Sequence, residues 1–420
     1  MRNAQRAAAL AVAGVLGGRN LSSALQDSVA VCGSLRGERA AAQALAYGTL
    51  RRLGFARFAL ARLAPRAPES AELAALLCVA IHQLADTEAA PYAVVHLAVE
   101  NADGIGGRRI KSFANAILRS FLRQRGALLD AAHADAEARW SYPQWWIDRV
   151  TAELGPRAAA TLEAGNLHPP MSLRVNRRRA DVEQLHARLH GAGLSARALG
   201  PAALVLSSPV PVDLLPGFRE GWVSVQDAGA QLTAPLLDLA PGQRVLDACA
   251  APGGKAAHIL ELADVELIAL DLDAQRLERV NENLGRLGLR ARTFCADAGE
   301  LTSWWDGEPF DRVLVDAPCS ASGVVRRHPD IRWLRRPTDM AGFAKQQARL
   351  LDALWKVLRP GGKLLYATCS IFREENQERI EQFAARHSDA RLLGGMPGEE
   401  GLLLPTREHD GFYHALLEKR

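Results

Sequence analysis

Two cysteines stand where short apolar runs give out into turns. Cys319 lies in DAPCSASG (Asp316–Gly323) and Cys369 in YATCS (Tyr366–Ser370). A thiol becomes a strong nucleophile only as the thiolate, so a pair at strand ends beside a base or a cation suits covalent catalysis. Buried cysteine otherwise serves as a small hydrophobe, and Cys32, Cys78, Cys249 and Cys295 are read that way. A third segment, DACAAPGGK (Asp247–Lys255), follows another apolar run and precedes a helical pattern. Glycines at a strand-to-helix turn let the backbone approach a ligand closely.

The composition of that turn decides between ligands. A phosphate-binding loop needs GxxxxGK[ST], but Cys249 takes the first glycine position and Ala256 the hydroxyl position. The dinucleotide fingerprint GxGxxG is absent from the turn as well. The next two strands end near Asp271 and Asp297, where one carboxylate can accept ribose hydroxyls and the other an exocyclic adenine amine. Carboxylates at successive strand ends suit an adenosine ligand without phosphate. They favour S-adenosylmethionine, held by Cys249, Ala250, Ala251, Pro252, Gly253, Gly254, Lys255, Asp271, Asp297 and Asp316.

These turns need a sheet to carry them. Arg244 to Ala248, Glu266 to Leu270, Arg290 to Cys295, Arg312 to Val315 and Lys363 to Thr368 read as buried strands. Helical patterns near Lys255–Leu262, Ala274–Leu287, Met340–Leu358 and Glu374–Arg386 alternate with them, which predicts a Rossmann-like, doubly wound α/β domain over residues 221–420. Gly411–Lys419 is expected to add an edge strand. Strand, helix and strand over MSLRVN, Asp181–His190 and Ala202–Ser208 predict a small α/β subdomain within a linking region, 131–220.

Residues 1–130 read as successive helices, with apolar residues at three- and four-residue spacing over Arg39–Leu63 and Glu69–Ala85, and a first-turn proline at Pro91. The whole chain of 420 residues carries a net charge of +4. Residues 1–130 hold 16 Lys and Arg against 9 Asp and Glu, so the basic excess is N-terminal and suits a polyanion, although a solvated helix surface accounts for it equally. Arg108, Arg109, Lys111, Arg119 and Arg123 are the phosphate-contact candidates there. Arg177 in a short basic run is a further one, and Arg326, Arg327, His328, Arg332 and Trp333 in the loop after Cys319 suit an RNA strand, with guanidinium and ring faces available for stacking. Six cysteines without a CxxC pair argue against a disulfide scaffold or zinc ribbon. No run approaches the length of a membrane span, so the cytoplasm is the expected location, with no metal and no membrane partner.

The motifs carry a resemblance. CAAPGGK, LDLD, CADA, DAPCSASGVVRRHPDIRW and YATCSIFREEN, in this order from about Gln226 to the end, resemble the RsmB/NOL1/NOP2/Sun family of RNA cytosine-5 methyltransferases. AYGTLRRL, PYAVVHLAVENA and RRIKSFANAILRSFLR resemble the NusB-type helical RNA-binding module. Together they resemble the bacterial branch that acts on 16S ribosomal RNA before subunit assembly. Only Ala256, where threonine is frequent, departs at the motif positions. The resemblance implies that Cys369 attacks C6 of the cytosine, that Cys319 assists proton removal or release, and that Asp316 contacts the base, with Lys255 available to activate the thiol. Two alternatives stay open at this point: a non-catalytic RNA-binding or antitermination factor, and a methyltransferase for a small molecule, a protein or another RNA.

Overall fold

A computed structural model describes residues 1–33 and 36–420, which form two compact units, one of Met1–His168 with Val325–Pro337 and one of Pro169–Val324 with Thr338–Arg420.

The first unit is all-helical. Its helices span Arg2–Leu16, Leu21–Val31, Arg36–Arg51, Leu53–Leu63, Ala71–Asp86, Pro91–Ala132, Ala136–Trp140, Gln144–Leu154 and Ala158–Ala164. Asn20 and Ser70 cap their helices by accepting from the Ser23 and Leu73 amides, and Pro91 occupies a first turn. The predicted helix over Arg39–Leu63 is interrupted at Arg52, whose φ of −114° and ψ of 16° start a new helix. Pro91–Ala132 bends at Gly106 and Gly107, the latter at φ +69°, a conformation that favours glycine. Alanine-rich faces such as Ala8, Ala11, Ala56, Ala59 and Ala80 let the helices pack closely in one core.

The loop after Cys319 corrects one expectation. Residues 325–337 belong to this helical unit, and Arg326 and Arg332 are 1% and 0% exposed. Arg332 donates to the Ser141 and Gly165 carbonyls at 3.0 and 2.7 Å and to Asn166, with its guanidinium 3.9 Å from the Tyr142 ring centroid. Arg51 donates to the Arg326 carbonyl, Trp333 to the Leu50 carbonyl, and Asp330 accepts from the Leu21 amide. Arg326 and Arg332 are therefore structural and are withdrawn as RNA contacts. A run of arginines looks solvated in sequence because carbonyl acceptors leave no compositional trace.

The second unit holds two sheets. A four-stranded antiparallel sheet comprises β1 (Met171–Val175), β2 (Ala196–Gly200), β3 (Ala203–Leu206) and β4 (Val223–Val225), in the order β2-β3-β1-β4. The larger sheet is built from β5 (Arg244–Asp247), β6 (Glu266–Asp271), β7 (Arg292–Cys295), β8 (Phe310–Asp316), β9 (Leu358–Thr368), β10 (Ala390–Leu393), β11 (Leu402–Leu403) and β12 (Phe412–Lys419). Its order is β10-β12-β9-β8-β5-β6-β7, and β5 to β9 pair in parallel. Strand order reverses between β5 and β8, where doubly wound sheets hold ligands beyond their carboxyl ends. Gly411–Lys419 was expected at an edge, but β12 lies inside, antiparallel to β9 on one side and β10 on the other. Its six leading residues are all buried, as an interior strand requires, whereas the four-residue β10 gives too short a pattern to read.

Arg174 of β1 ties the smaller sheet to the helix Gly254–Leu262 that follows β5. Fully buried, it donates to both Glu261 oxygens at 2.9 and 3.0 Å and to the Gly254 carbonyl at 2.7 Å. Within the run Asn176–Arg179, Arg178 pairs with Asp264 and Arg179 donates to the Leu287 carbonyl, while Arg177 is exposed.

Replacing Arg332 by Met should strand the Ser141 and Gly165 carbonyls and lower stability by about 3 kcal/mol. Urea unfolding monitored by circular dichroism checks this, and an unchanged midpoint would contradict the buried anchoring role.

Candidate active site

The site is assembled by strand ends. Parallel pairing sets Asp247 of β5 beside Leu314 of β8, and Asp316 of β8 beside Ala367 of β9, so the turns after these strands open at one edge. Beyond that edge lies a cavity of about 300 Å³, lined in part by Cys249, Ala251, Asp271, Asp297, Asp316, Cys319 and Cys369. Seven sequence-predicted residues thus meet at one place. Ala250, Pro252, Gly253, Gly254 and Lys255 complete the turn behind it without lining the cavity.

The turn is shaped by backbone chemistry. Gly253 sits at φ +95°, and a Cβ there would come 3.0 Å from the Val280 Cα, so the position needs glycine. The Ala250 amide donates to the Leu270 carbonyl and the Ala251 amide to Asp271 Oδ2 at 3.1 Å. Asp271 Oδ1 accepts from the Asp273 amide, which leaves lone pairs on both oxygens facing the cavity. A cradle of this size, with carboxylates at the ends of β6 and β7, fits an adenosine-bearing methyl donor.

Charge is arranged around the thiols. Lys255 Nζ donates to Asp316 Oδ2 at 2.6 Å. Burial draws the Lys255 ammonium down, but the Asp316 charge and hydrogen bond, with smaller help from Cys369 and Asp247, carry it up, so Lys255 stays cationic. The Cys319 and Cys369 Sγ atoms are 3.4 Å apart. Cys319 is pushed well above the usual thiol range, first by the hydrogen bond with Cys369, then by burial, the Cys369 charge and Glu375. It is held as the thiol. Cys249 is raised by burial and the surrounding carboxylates, so it is inert, and Cys78 is packed. Cys295, expected to be packed, is exposed at the end of β7, where its Sγ lies 3.6 Å from the Leu272 carbonyl.

Several residues escaped the sequence reading. Arg349 donates to both Asp297 oxygens at 2.8 and 2.9 Å, and Arg276 lies 3.8 Å from Asp271 Oδ1 and donates to the Ala251 carbonyl. Burial pushes the Asp297 carboxyl up, but the Arg349 and Gly299 hydrogen bonds outweigh it and hold the group below the usual range. Glu375 is buried between the two cysteine turns. Only the EEN triplet after YATCSIFR hinted at Glu375, and nothing in spacing paired Arg349 with Asp297. In the helical unit, Arg109 pairs with Glu69 and Lys111 with Glu100, whereas Arg108 is exposed. Arg119 and Arg123 bond to Asn115 and Ser120 on the same helix. Arg327 is half-buried and His328 exposed.

Comparison with known proteins places this arrangement. Residues 234–418 match the family described as 16S rRNA methyltransferase RsmB/F, residues 142–213 the RsmF/B-like ferredoxin-like domain, and residues 2–123 the NusB family. The chain is similar to the ribosomal RNA small subunit methyltransferase B of Pseudomonas syringae pv. tomato, at 44% identity over 99% of this chain and 97% of that one. Among solved structures it resembles PH0851, with 25% identity, a TM-score of 0.82, and coverage of 100% of this chain and 99% of that one. It also resembles a methyltransferase homologue from Pyrococcus horikoshii, with 31% identity, a TM-score of 0.60, and coverage of 68% and 98%.

Asp247 offers a test of the electrostatics. It is fully buried, neither oxygen has a partner at hydrogen-bond geometry, and the Lys255 charge and then the Cys249 amide pull its proton affinity down by less than burial and Asp316 raise it. Burial first, and then the Asp316 charge, push its carboxyl from the ordinary 3.8 up to about 7. The folded state therefore binds this proton more tightly than the unfolded state, and the stability it contributes is lost as pH rises from about 4 to about 7. Asp247→Asn should gain stability relative to wild type across that window, with a flat difference on either side. Urea unfolding at a series of pH values reads this directly, and a difference independent of pH would refute the assignment.

Proposed function

Since the chain belongs to the 16S rRNA methyltransferase RsmB/F family, we propose that it transfers the methyl group of S-adenosylmethionine to C5 of a cytosine in small-subunit ribosomal RNA. The observation that carries the reading is the 3.4 Å approach of two thiols at a cavity whose other walls bear carboxylates and a turn suited to an adenosine ligand. The names of the relatives support ribosomal RNA as substrate. No helix among the described residues is long and apolar enough to cross a membrane, and the reading places the enzyme in the cytoplasm, meeting RNA before subunit assembly.

C5 of cytosine is too weak a nucleophile to take a methyl group unaided. Cys369, as thiolate, adds to C6 and breaks the C5–C6 double bond, so that C5 gains enamine character. Asp271, Asp297 and the Cys249–Lys255 turn would hold the donor, which would supply a sulfonium methyl group: as the C5–CH3 bond forms, the S–CH3 bond would break and its electron pair would leave with S-adenosylhomocysteine. Loss of the C5 proton then restores the double bond as the C6–S bond breaks and the Cys369 thiolate departs. Lys255 is the proposed activating cation near the thiols, and Asp316, anchored by Lys255, is placed to accept from the cytosine edge. Cys319 begins as a thiol because it shares a hydrogen bond with Cys369 and feels its charge. Once Cys369 is a thioether its charge no longer opposes ionisation of Cys319, whereas burial and the Glu375 charge still do; Cys319, 3.4 Å from the Cys369 Sγ, is proposed to lose its own proton to solvent and then take the C5 proton. Reaching C6 requires the base to leave its stack, which favours unpaired or flippable RNA. Arg108, Arg109, Lys111 and Arg177 are proposed as phosphate contacts, with Arg327 and His328 as further ones.

Incubation with labelled S-adenosylmethionine and a naked small-subunit RNA transcript should place the label on C5 of cytosine; label on protein or metabolite alone would overturn the reading. Cys369→Ala should abolish transfer while S-adenosylmethionine still binds, because the thiol acts on the base. Cys319→Ala should accumulate an RNA adduct that survives denaturing electrophoresis, and turnover at the wild-type rate without adduct would remove Cys319 from the reaction.

A further inference from the structure

The turns that carry Cys319 and Cys369 are tied to each other through one side chain that does not line the cavity beside them. We propose that Glu375 is a positioning residue, which sets the spacing of the two catalytic thiols by holding with a single carboxylate the residue that follows each cysteine. Glu375 is fully buried, as are Ser320, which follows Cys319, and Ser370, which follows Cys369. One oxygen, Oε1, accepts from the Ser320 amide at 2.7 Å and from Gln347 Nε2 at 3.2 Å. The other, Oε2, accepts from the Ser320 hydroxyl at 2.6 Å and from the Ser370 hydroxyl.

The surrounding bonds hold the clamp itself. Tyr366 donates its hydroxyl to the Glu375 carbonyl at 2.6 Å, and Gln347 Nε2 reaches the Pro318 carbonyl at 3.0 Å. Asn376 accepts from Thr368 Oγ1 at 2.7 Å and donates to the Ser370 carbonyl at 2.9 Å, closing the Cys369 turn. A buried carboxylate that receives four hydrogen bonds is costly to displace, so the two turns are locked in register. The thiol separation of 3.4 Å is held by this lock as well as by the β8–β9 pairing. The Glu375 charge also raises the Cys319 thiol, after the larger effects of the Cys369 hydrogen bond, burial and the Cys369 charge.

The inference rests on the covalent reading above, and its test separates the two. Wild type, Glu375→Gln and Glu375→Ala are incubated with S-adenosylmethionine and a small-subunit RNA transcript containing 5-fluorocytidine. Fluorine at C5 leaves no proton to remove, so the Cys369 adduct persists and its rate of formation is read on a denaturing gel. The rate should fall about 10-fold in Glu375→Gln, which keeps one acceptor oxygen, and about 100-fold in Glu375→Ala. In both, the dissociation constant of S-adenosylmethionine should stay within about twofold of wild type, since Glu375 does not line the cofactor cavity. Where Glu375→Ala fails to fold, Glu375→Gln decides alone. Adduct formation at the wild-type rate in the folded variants overturns the clamp and leaves the cysteine reading standing. A parallel loss of cofactor binding and adduct formation in Glu375→Gln overturns it as well, because it marks a merely structural role. Absence of adduct in the wild type overturns the covalent reading and this inference with it.

Discussion

The parallel pairing of β8 with β9 is the constraint on which the site depends. Asp316 opposite Ala367 fixes where each chain leaves the sheet, and the turns that follow bring Cys319 and Cys369 within 3.4 Å. Val313, Leu314, Val315, Leu364, Leu365 and Tyr366 are buried on both faces of this parallel pair, so a slip of one residue would require the side chains packed on either side of the sheet to repack. Register and thiol geometry are therefore the same fact seen at two scales. The Glu375 clamp adds a side-chain tie where the backbone ladder ends.

The same sheet edge gathers charge that would be unfavourable anywhere else. Asp247, Asp271, Asp297 and Asp316 lie at the ends of four neighbouring strands, answered by Lys255, Arg276 and Arg349. Asp247 has no cation of its own, and its carboxyl carries the consequence as an elevated proton affinity.

Much of this was legible in the sequence because it rests on local signals. Turn glycines, strand-terminal aspartates and the two cysteine turns announce themselves through residue type and short spacing, and the strand carrying each was placed within a few residues. What escaped depends on distant partners. Arg332 looks like a surface arginine until Ser141, Gly165 and Asn166, far away in the chain, are seen to receive it. Glu375 follows Glu374 in a charged triplet, and only the fold tells the buried one from its neighbour. Arg349 sits on an ordinary amphipathic helix, so its pairing with Asp297 has no sequence signature. The interior place of β12 was hidden because its flanking partner β10 is four residues long and half exposed.

The interleaving of the two units also bears on how the chain is made. The helical unit begins at the N-terminus, yet residues 325–337 belong to it, with Arg332 buried among its helices. A nascent chain emerging from the ribosome cannot finish this bundle until that late segment is out, by which time β1 to β8 have already been synthesised. Maturation of the first unit is thereby deferred until residue 337 has been made, and a fragment ending at residue 168 would leave the Ser141 and Gly165 carbonyls without the guanidinium they receive.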